Sequence, residues 1–266
     1  MKNILKNTII LSCAIIAMSS CDKTDGALYT GEPNKLSFFT TSLGVNMSGG
    51  KVTVPISRTS TEGDLSIPLT LTATGANYTN VFKLEGPVKF ENGQAKSNVV
   101  VNYGDFSILD PSSLSITASG TDVNVGLAFP INLIIPDDNV SFSNQKTISV
   151  LASNSLEFED KGKTELNSVD GWNGSVLNVS IQKAKGANVY KMVNPFGGGS
   201  FAFMIKSDGK TLVVPNQIIA KHSTYGNVTM TNVTGTVVNN VVTLNVGGYI
   251  VSAGSFGAGV EIIKLP

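Results

Sequence analysis

From about residue 35 onward, apolar and polar residues alternate at a period of two, the spacing of strands that bury one face. Val52, Val54 and Ile56 alternate with Thr53, Pro55 and Ser57, and Ile67, Leu69, Leu71 and Ala73 alternate with Pro68, Thr70 and Thr72. The pattern continues through Val99/Val101, through Phe129/Ile131/Leu133/Ile135 and through Ile148/Val150. Turn clusters punctuate it at Ser48-Gly49-Gly50, Glu62-Gly63-Asp64, Glu91-Asn92-Gly93 and Pro136-Asp137-Asp138-Asn139. Many short strands with no amphipathic helix predict an all-β fold whose first unit is a β-sandwich. Pro55 and Pro68 lack the N–H a ladder needs, so both are expected on edge strands or at bulges.

A second, smaller β-rich unit is expected from about residue 153 to the end. Its predicted strands carry Leu177/Val179/Ile181, Val189 to Val193, Phe201/Phe203/Ile205, Leu212 to Val214, Val228 to Val233, and Val260/Ile262. Val237 to Leu244 reads as a hairpin across Asn239-Asn240, because asparagine tolerates the left-handed backbone of a tight turn.

Two stretches resemble known domains. The run from Lys51 to Ala73, then VKFENGQAKSNVVVNYG, then FPINLIIPDDNVSFSNQKTISVLAS, resembles the immunoglobulin-like, Calx-beta-like sandwich of Bacteroides-type surface lipoproteins. Arg58 closes the Val-rich strand, Val88 and Phe90 precede the Gly93 turn, Val99 to Val101 form the next strand, and Ile148 to Leu151 the last. Calcium-binding relatives carry extra acids in their end loops, whereas here the acids are scattered: Asp105, Asp110, Asp122, Asp137 and Asp138. The pattern Tyr190, Lys191, Asn194, Pro195, Phe196 resembles the all-β domain that follows the sandwich in such lipoproteins. That signature reads as structural, since Asn-Pro ends a strand and Gly197 to Gly199 permit a sharp reversal.

The N-terminus changes the picture of where the chain resides. Lys2 and Lys6, an apolar stretch from Ile9 to Met18, and Ser19-Ser20 before Cys21 read as a lipoprotein signal peptide (1–20) ending at a lipid-attachment cysteine. The apolar stretch is shorter than the ~20 residues that span a hydrocarbon core. Residues 21–34 then form a polar tether, with Asp22, Lys23 and Asp25 resembling a surface-export signal, ahead of the sandwich at 35–152 and the second domain at 153–266. Cys13 leaves with the signal and Cys21 carries lipid, so no disulfide is expected. The 19 basic and 19 acidic residues balance, and loss of Lys2 and Lys6 leaves 17 basic, which excludes the basic stripe that nucleic acid requires.

Candidate chemistry is sparse. His222 is the only histidine, no GxSxG elbow exists, and a transition-metal site needs more His or Cys than this chain holds. No catalytic residue and no cofactor is expected. The acids Glu157, Glu159, Asp160, Glu165 and Asp170 cluster at the expected domain boundary, where solvated charge is the ordinary reading and a glycoside hydrolase pair the rarer one. Asp137 and Asp138 are weak calcium candidates. Trp172, Tyr190, Tyr225 and Tyr249 are candidate stacking platforms for a ligand, with Phe196 beside them and Asn194, Asn216, Gln217 and Asn227 as polar partners. The sequence therefore predicts a lipid-anchored outer-membrane protein at the cell surface, a non-catalytic binding or adhesion module. Its expected partners are the membrane, through the lipid, and a glycan or another surface protein; an accessory carbohydrate-binding role in glycan uptake is the alternative.

Overall fold

The computed structural model describes residues 32–141 and 145–266; Cys21, the signal segment and most of the tether lie outside the described residues. The chain is all-β, as the period-two pattern predicts. Its first part contains β1 (Leu36–Phe38), β2 (Ser42–Asn46), β3 (Lys51–Arg58), β4 (Leu65–Ile67), β5 (Thr70–Thr72), the single helical turn α1 (Tyr78–Val81), β6 (Phe82–Leu84), β7 (Val88–Phe90), β8 (Lys96–Tyr103), β9 (Ser113–Ser119), β10 (Asp122–Ile134) and β11 (Thr147–Ser155). One sheet runs β1-β3-β8-β6, and the facing one runs β2-β11-β10-β5 with β9 also on β10. Val52, Val54, Ile56, Val99 and Val101 from the first sheet meet Phe129, Ile131, Leu133, Ile148 and Val150 from the second in one core.

The prolines sit where a missing N–H does least harm. Pro130 lies mid-strand in β10, in the gap between Asp122–Ala128, which pairs with β9, and Asn132–Ile134, which pairs with β5. Pro55 corrects the edge-strand expectation: β3 is an interior strand, but β1 pairs only with Ile56 to Arg58, so the flank beside Pro55 is open. Pro68 falls between β4 and β5, where the chain leaves one sheet for another. Arg58 is buried, and its guanidinium donates to the carbonyls of Gln94, Gly63, Thr61 and Glu91 while lying 5.4 Å above the Phe90 ring. It ties two turns to one strand end.

The second part contains β12 (Phe158–Asn167), β13 (Val176–Ala184), β14 (Val189–Met192), β15 (Phe201–Ile205), β16 (Leu212–Val213), β17 (Gln217–His222), β18 (Gly226–Thr231), β19 (Thr234–Val238), β20 (Val241–Val246), β21 (Gly248–Val251), β22 (Gly254–Ser255) and β23 (Gly259–Lys264). An eight-stranded sheet runs β16-β15-β14-β13-β12-β23-β20-β19, and its two ends meet through a Thr211–Thr236 bridge and a Val237 N–H to Lys210 carbonyl bond. A second sheet, β17-β18-β21-β22, contributes Ile219, Val228, Met230 and Tyr249 to the same core. Asn239 and Asn240 both have positive φ, and Val238 pairs with Val241 across them, the tight hairpin the sequence predicts.

Every residue of β15 is buried, because both of its faces are covered. Phe201, Phe203 and Ile205 fill the second core, while Ala202 and Met204 join Val189, Ala184 and Ala187 in the core of the sandwich. Polar contacts reinforce this seam. Asn188 donates to the Ser107 carbonyl, Ser200 to the Thr121 carbonyl, and Ser207 to both oxygens of Asp110.

Candidate functional site

Five rings gather on the second sheet of the C-terminal part and the turn that follows β12. The tight turn between β17 and β18 places Tyr225 just before Gly226, whose φ is +76°. Within it the His222 Nδ1 accepts the N–H groups of Thr224 and Tyr225, so this edge of the imidazole is spent on the turn. The His222 and Tyr225 rings stack at 4.9 Å, and Phe256, beyond β22, lies 5.3 Å from His222 and 6.0 Å from Tyr225. Trp172 extends the row, 5.2 Å from Phe256 and 5.6 Å from Tyr249. Tyr225 is 42% exposed and Phe256 48%, beside a depression of about 230 Å³ that also touches Val251, Gly254 and Ser255. Two large rings left in water in one row form an aromatic ledge.

Behind the ledge lies a buried acid. Glu261, 0% exposed, accepts the Trp172 N–H at 2.8 Å and the Tyr249 hydroxyl at 2.7 Å on the same oxygen, Oε1. Its Oε2 is buried with no hydrogen-bond partner among the described residues. Burial raises the Glu261 carboxyl above the ordinary carboxylate range, although the Trp172 N–H, Tyr249 and Ser168 pull the other way. Burial, then the neighbouring Glu261, likewise raises the Tyr249 hydroxyl. Space here is tight: a Cβ on Gly171 would stand 2.4 Å from Glu261 Oε1, and one on Gly259 would stand 2.8 Å from the Tyr249 ring.

The predicted platforms separate. Tyr225 is exposed and Trp172 half-buried, both in the ledge, whereas Tyr249 is 2% exposed and presents no face to solvent. Its place is beneath the ledge, because β21 turns the ring inward toward Glu261. Tyr190 lies elsewhere, half-buried against Phe203 at 5.7 Å with the Lys183 ammonium above its ring. Phe196 stacks on Phe201. Of the polar partners, Gln217 is buried and spent on the Ala202 backbone and the Pro215 carbonyl, Asn216 accepts from the Asn232 N–H, and Asn194 holds a left-handed backbone at φ +44°. Asn227 is exposed one residue from the turn.

Several of the candidate acids pair with lysines. Glu157, Glu159 and Glu165 pair with Lys185, Lys161 and Lys264. Asp137 pairs with Lys146, and the Asp138 carbonyl accepts the Lys35 ammonium, in a 3-10 turn that ends at Asn139. Two larger hollows, about 610 and 480 Å³, lie along the seam and share Lys185, with Glu157 and Glu159 on their walls. They present neither of the exposed rings.

Phe256, His222 as part of the ledge, and Glu261 are not among the predicted binding residues. An aromatic set between glycines and serines in Gly254-Ser255-Phe256-Gly257 was the available signal for Phe256. For β23 the predicted buried face, Val260/Ile262, is the half-exposed one; Glu261 and Ile263 face the core instead. A glutamate flanked by apolar residues argues for that opposite register only once its partners are known.

No family model matches the chain. No curated protein matches it either. Among solved structures, a Bacteroides ovatus protein of unknown function is 11% identical, covering 86% of this chain and 94% of its own, with a TM-score of 0.33. A Bacteroides ovatus multidomain protein including DUF1735 is 11% identical over 86% of this chain and 92% of its own, at 0.27. CBD12 from CALX1.2 is 10% identical over 82% of each chain, at 0.30. Scores this low carry no argument about function.

Proposed function

We propose that this chain is a lipid-anchored, surface-displayed binding module without catalytic activity, and that its aromatic ledge takes carbohydrate. The observation that carries the reading is the pair of exposed rings, Tyr225 and Phe256, braced by His222 and Trp172. Pyranose rings have apolar C–H faces that stack on aromatic faces, and hydroxyl rims that bond to amides and hydroxyls. Ser252 donates to the Tyr225 carbonyl and Ser255 lines the depression, while Thr224 and Asn227 are exposed within two residues of Tyr225 in the chain. Export through the signal segment and attachment at Cys21 would hold the ledge outside the cell, with the sandwich as the spacer between membrane and ligand.

Trp172 is the only tryptophan in the chain, so its emission reports on the ledge alone. A glycan array probed with the full chain, followed by fluorescence titration of the hits, tests the reading. Binding should shift Trp172 emission, and Tyr225→Ala and Phe256→Ala should each weaken it about tenfold with the fold intact. An array without hits, or hits indifferent to both substitutions, rejects it.

A further inference from the structure

Glu261 is a buried acid that no packing argument requires. Leucine or glutamine could fill its volume, yet a carboxyl stands at a site of 0% exposure, and none of the ion pairs found among the described residues includes it. What it holds is specific. One oxygen fixes the backbone at Trp172, on the turn after β12, and the hydroxyl of Tyr249, on β21. These are the two elements whose rings brace Phe256, directly through Trp172 and through the Tyr249 carbonyl that accepts the Phe256 N–H at 2.9 Å.

We propose that Glu261 is the positioning residue of the aromatic ledge, and that the ledge keeps its binding geometry only while the Glu261 carboxyl is uncharged. The second clause follows from what surrounds Oε2. An uncharged carboxyl there leaves one polar atom unpaired, whereas a carboxylate leaves a buried negative charge with neither donor nor cation at that oxygen, which is much the costlier state. The groups facing Glu261 are hydrogen-bond donors and none of them is a cation, so they offset burial only in part. From β21 it is Tyr249; from the turn after β12 they are Ser168 and the Trp172 N–H, while Asp170 on that turn binds the Val260 N–H through its carbonyl. The turn carrying Gly171 and Trp172 lies directly against Oε1, so a charged acid gains water when that turn moves outward, and the motion separates Trp172 from Phe256. Raising the pH through the Glu261 titration therefore dismantles the ledge, and a pH below it keeps the ledge assembled. This deepens the carbohydrate reading and rests on it for the ledge's purpose.

The test needs no sugar, so its failure is separable from failure of that reading. Trp172 emission of the full chain is followed from about pH 5 to about pH 9, a window above the ordinary glutamate range, with far-ultraviolet circular dichroism as the control for folding. The expected result is one reversible transition in emission while the circular dichroism holds constant. Glu261→Gln, which stays neutral and keeps an acceptor for both donors, should give the assembled-ledge emission throughout. Glu261→Leu should give the displaced emission at every pH. Emission that does not change in the wild type, or a transition that Glu261→Gln retains, overturns the proposal. Should Glu261→Gln fail to fold, the carboxyl ¹³C resonances of glutamate-labelled wild type decide: one must titrate at the midpoint of the emission change, and none doing so equally overturns it. For any glycan the array identifies, affinity should fall through the same midpoint in the wild type and stay constant in Glu261→Gln.

Discussion

The Lys191 ammonium lies 2.9 Å from Asp122 and 4.7 Å above the Phe158 ring, joining β14 to the first residue of β10 across the seam. The two ends differ in exposure, 8% for the lysine side chain and 55% for the aspartate. Removing one end is therefore unlike removing the other. Asp122→Ala strands a buried ammonium and should cost about 2 kcal/mol, whereas Lys191→Met leaves a carboxylate that water can solvate and should cost less than about 1 kcal/mol. Denaturant unfolding of both variants checks the order.

The same pair gives the seam an acid limit. Burial alone would raise the Asp122 carboxyl, but the hydrogen bonds from Lys191 and the Val123 N–H, with the lysine charge, hold it below the ordinary aspartate range. A depressed folded value means the stabilisation is present above the unfolded value of 3.8 and is lost as pH falls through the folded one. Proteolysis between β9 and β10 should accelerate only below that point, and Asp122→Asn should abolish the dependence.

Glu261 has the opposite sign. Its folded value is raised above 4.5, so its contribution is complete below that pH and is lost as pH rises through the folded value. Thermal midpoints should decline with rising pH in the wild type and decline less in Glu261→Gln.

Arg58 anchors four carbonyls from two turns, a fan that lysine's single ammonium cannot span. Arg58→Lys should cost about 3 kcal/mol or more, and amide hydrogen exchange should rise around Thr61–Gly63 and Glu91–Gln94 before it rises in β10.

Gly171→Ala should be equally telling at the ledge. The added methyl meets Glu261 Oε1 at 2.4 Å and the Val260 carbonyl at 2.7 Å, so the turn must shift. A loss of about 2 kcal/mol with displaced Trp172 emission is expected.

Cys21→Ser tests the anchor. The variant should move from the membrane fraction to the soluble one, and a protein that stays membrane-bound would refute lipid attachment at that residue.

Alternation along β3, β8, β10 and β11 made the sandwich legible, because each strand buries one face and a period of two records that directly. The Asn239-Asn240 hairpin was legible for the same local reason, a backbone geometry few residues accept. β15 was only half legible: Phe201, Phe203 and Ile205 announced one face, but that Ala202 and Met204 pack on the sandwich depends on a partner far away in the chain. Lys191 stood out in the sequence as a strand residue within a Tyr-Lys pattern, and nothing local says that it is buried or that Asp122 receives it.

Local chemistry thus determined the strands, the turns and the scarcity of reactive groups, because strand pattern and turn preference are properties of neighbouring residues. The tertiary structure decided which rings remain in water. Tyr225 and Tyr249 carry the same side chain, and one stands in water while the other is a buried strut because only the closed C-terminal sheets bring Glu261, Trp172 and Phe256 together around them. Burial is set by contacts between distant segments, and the order of residues along a strand does not contain it.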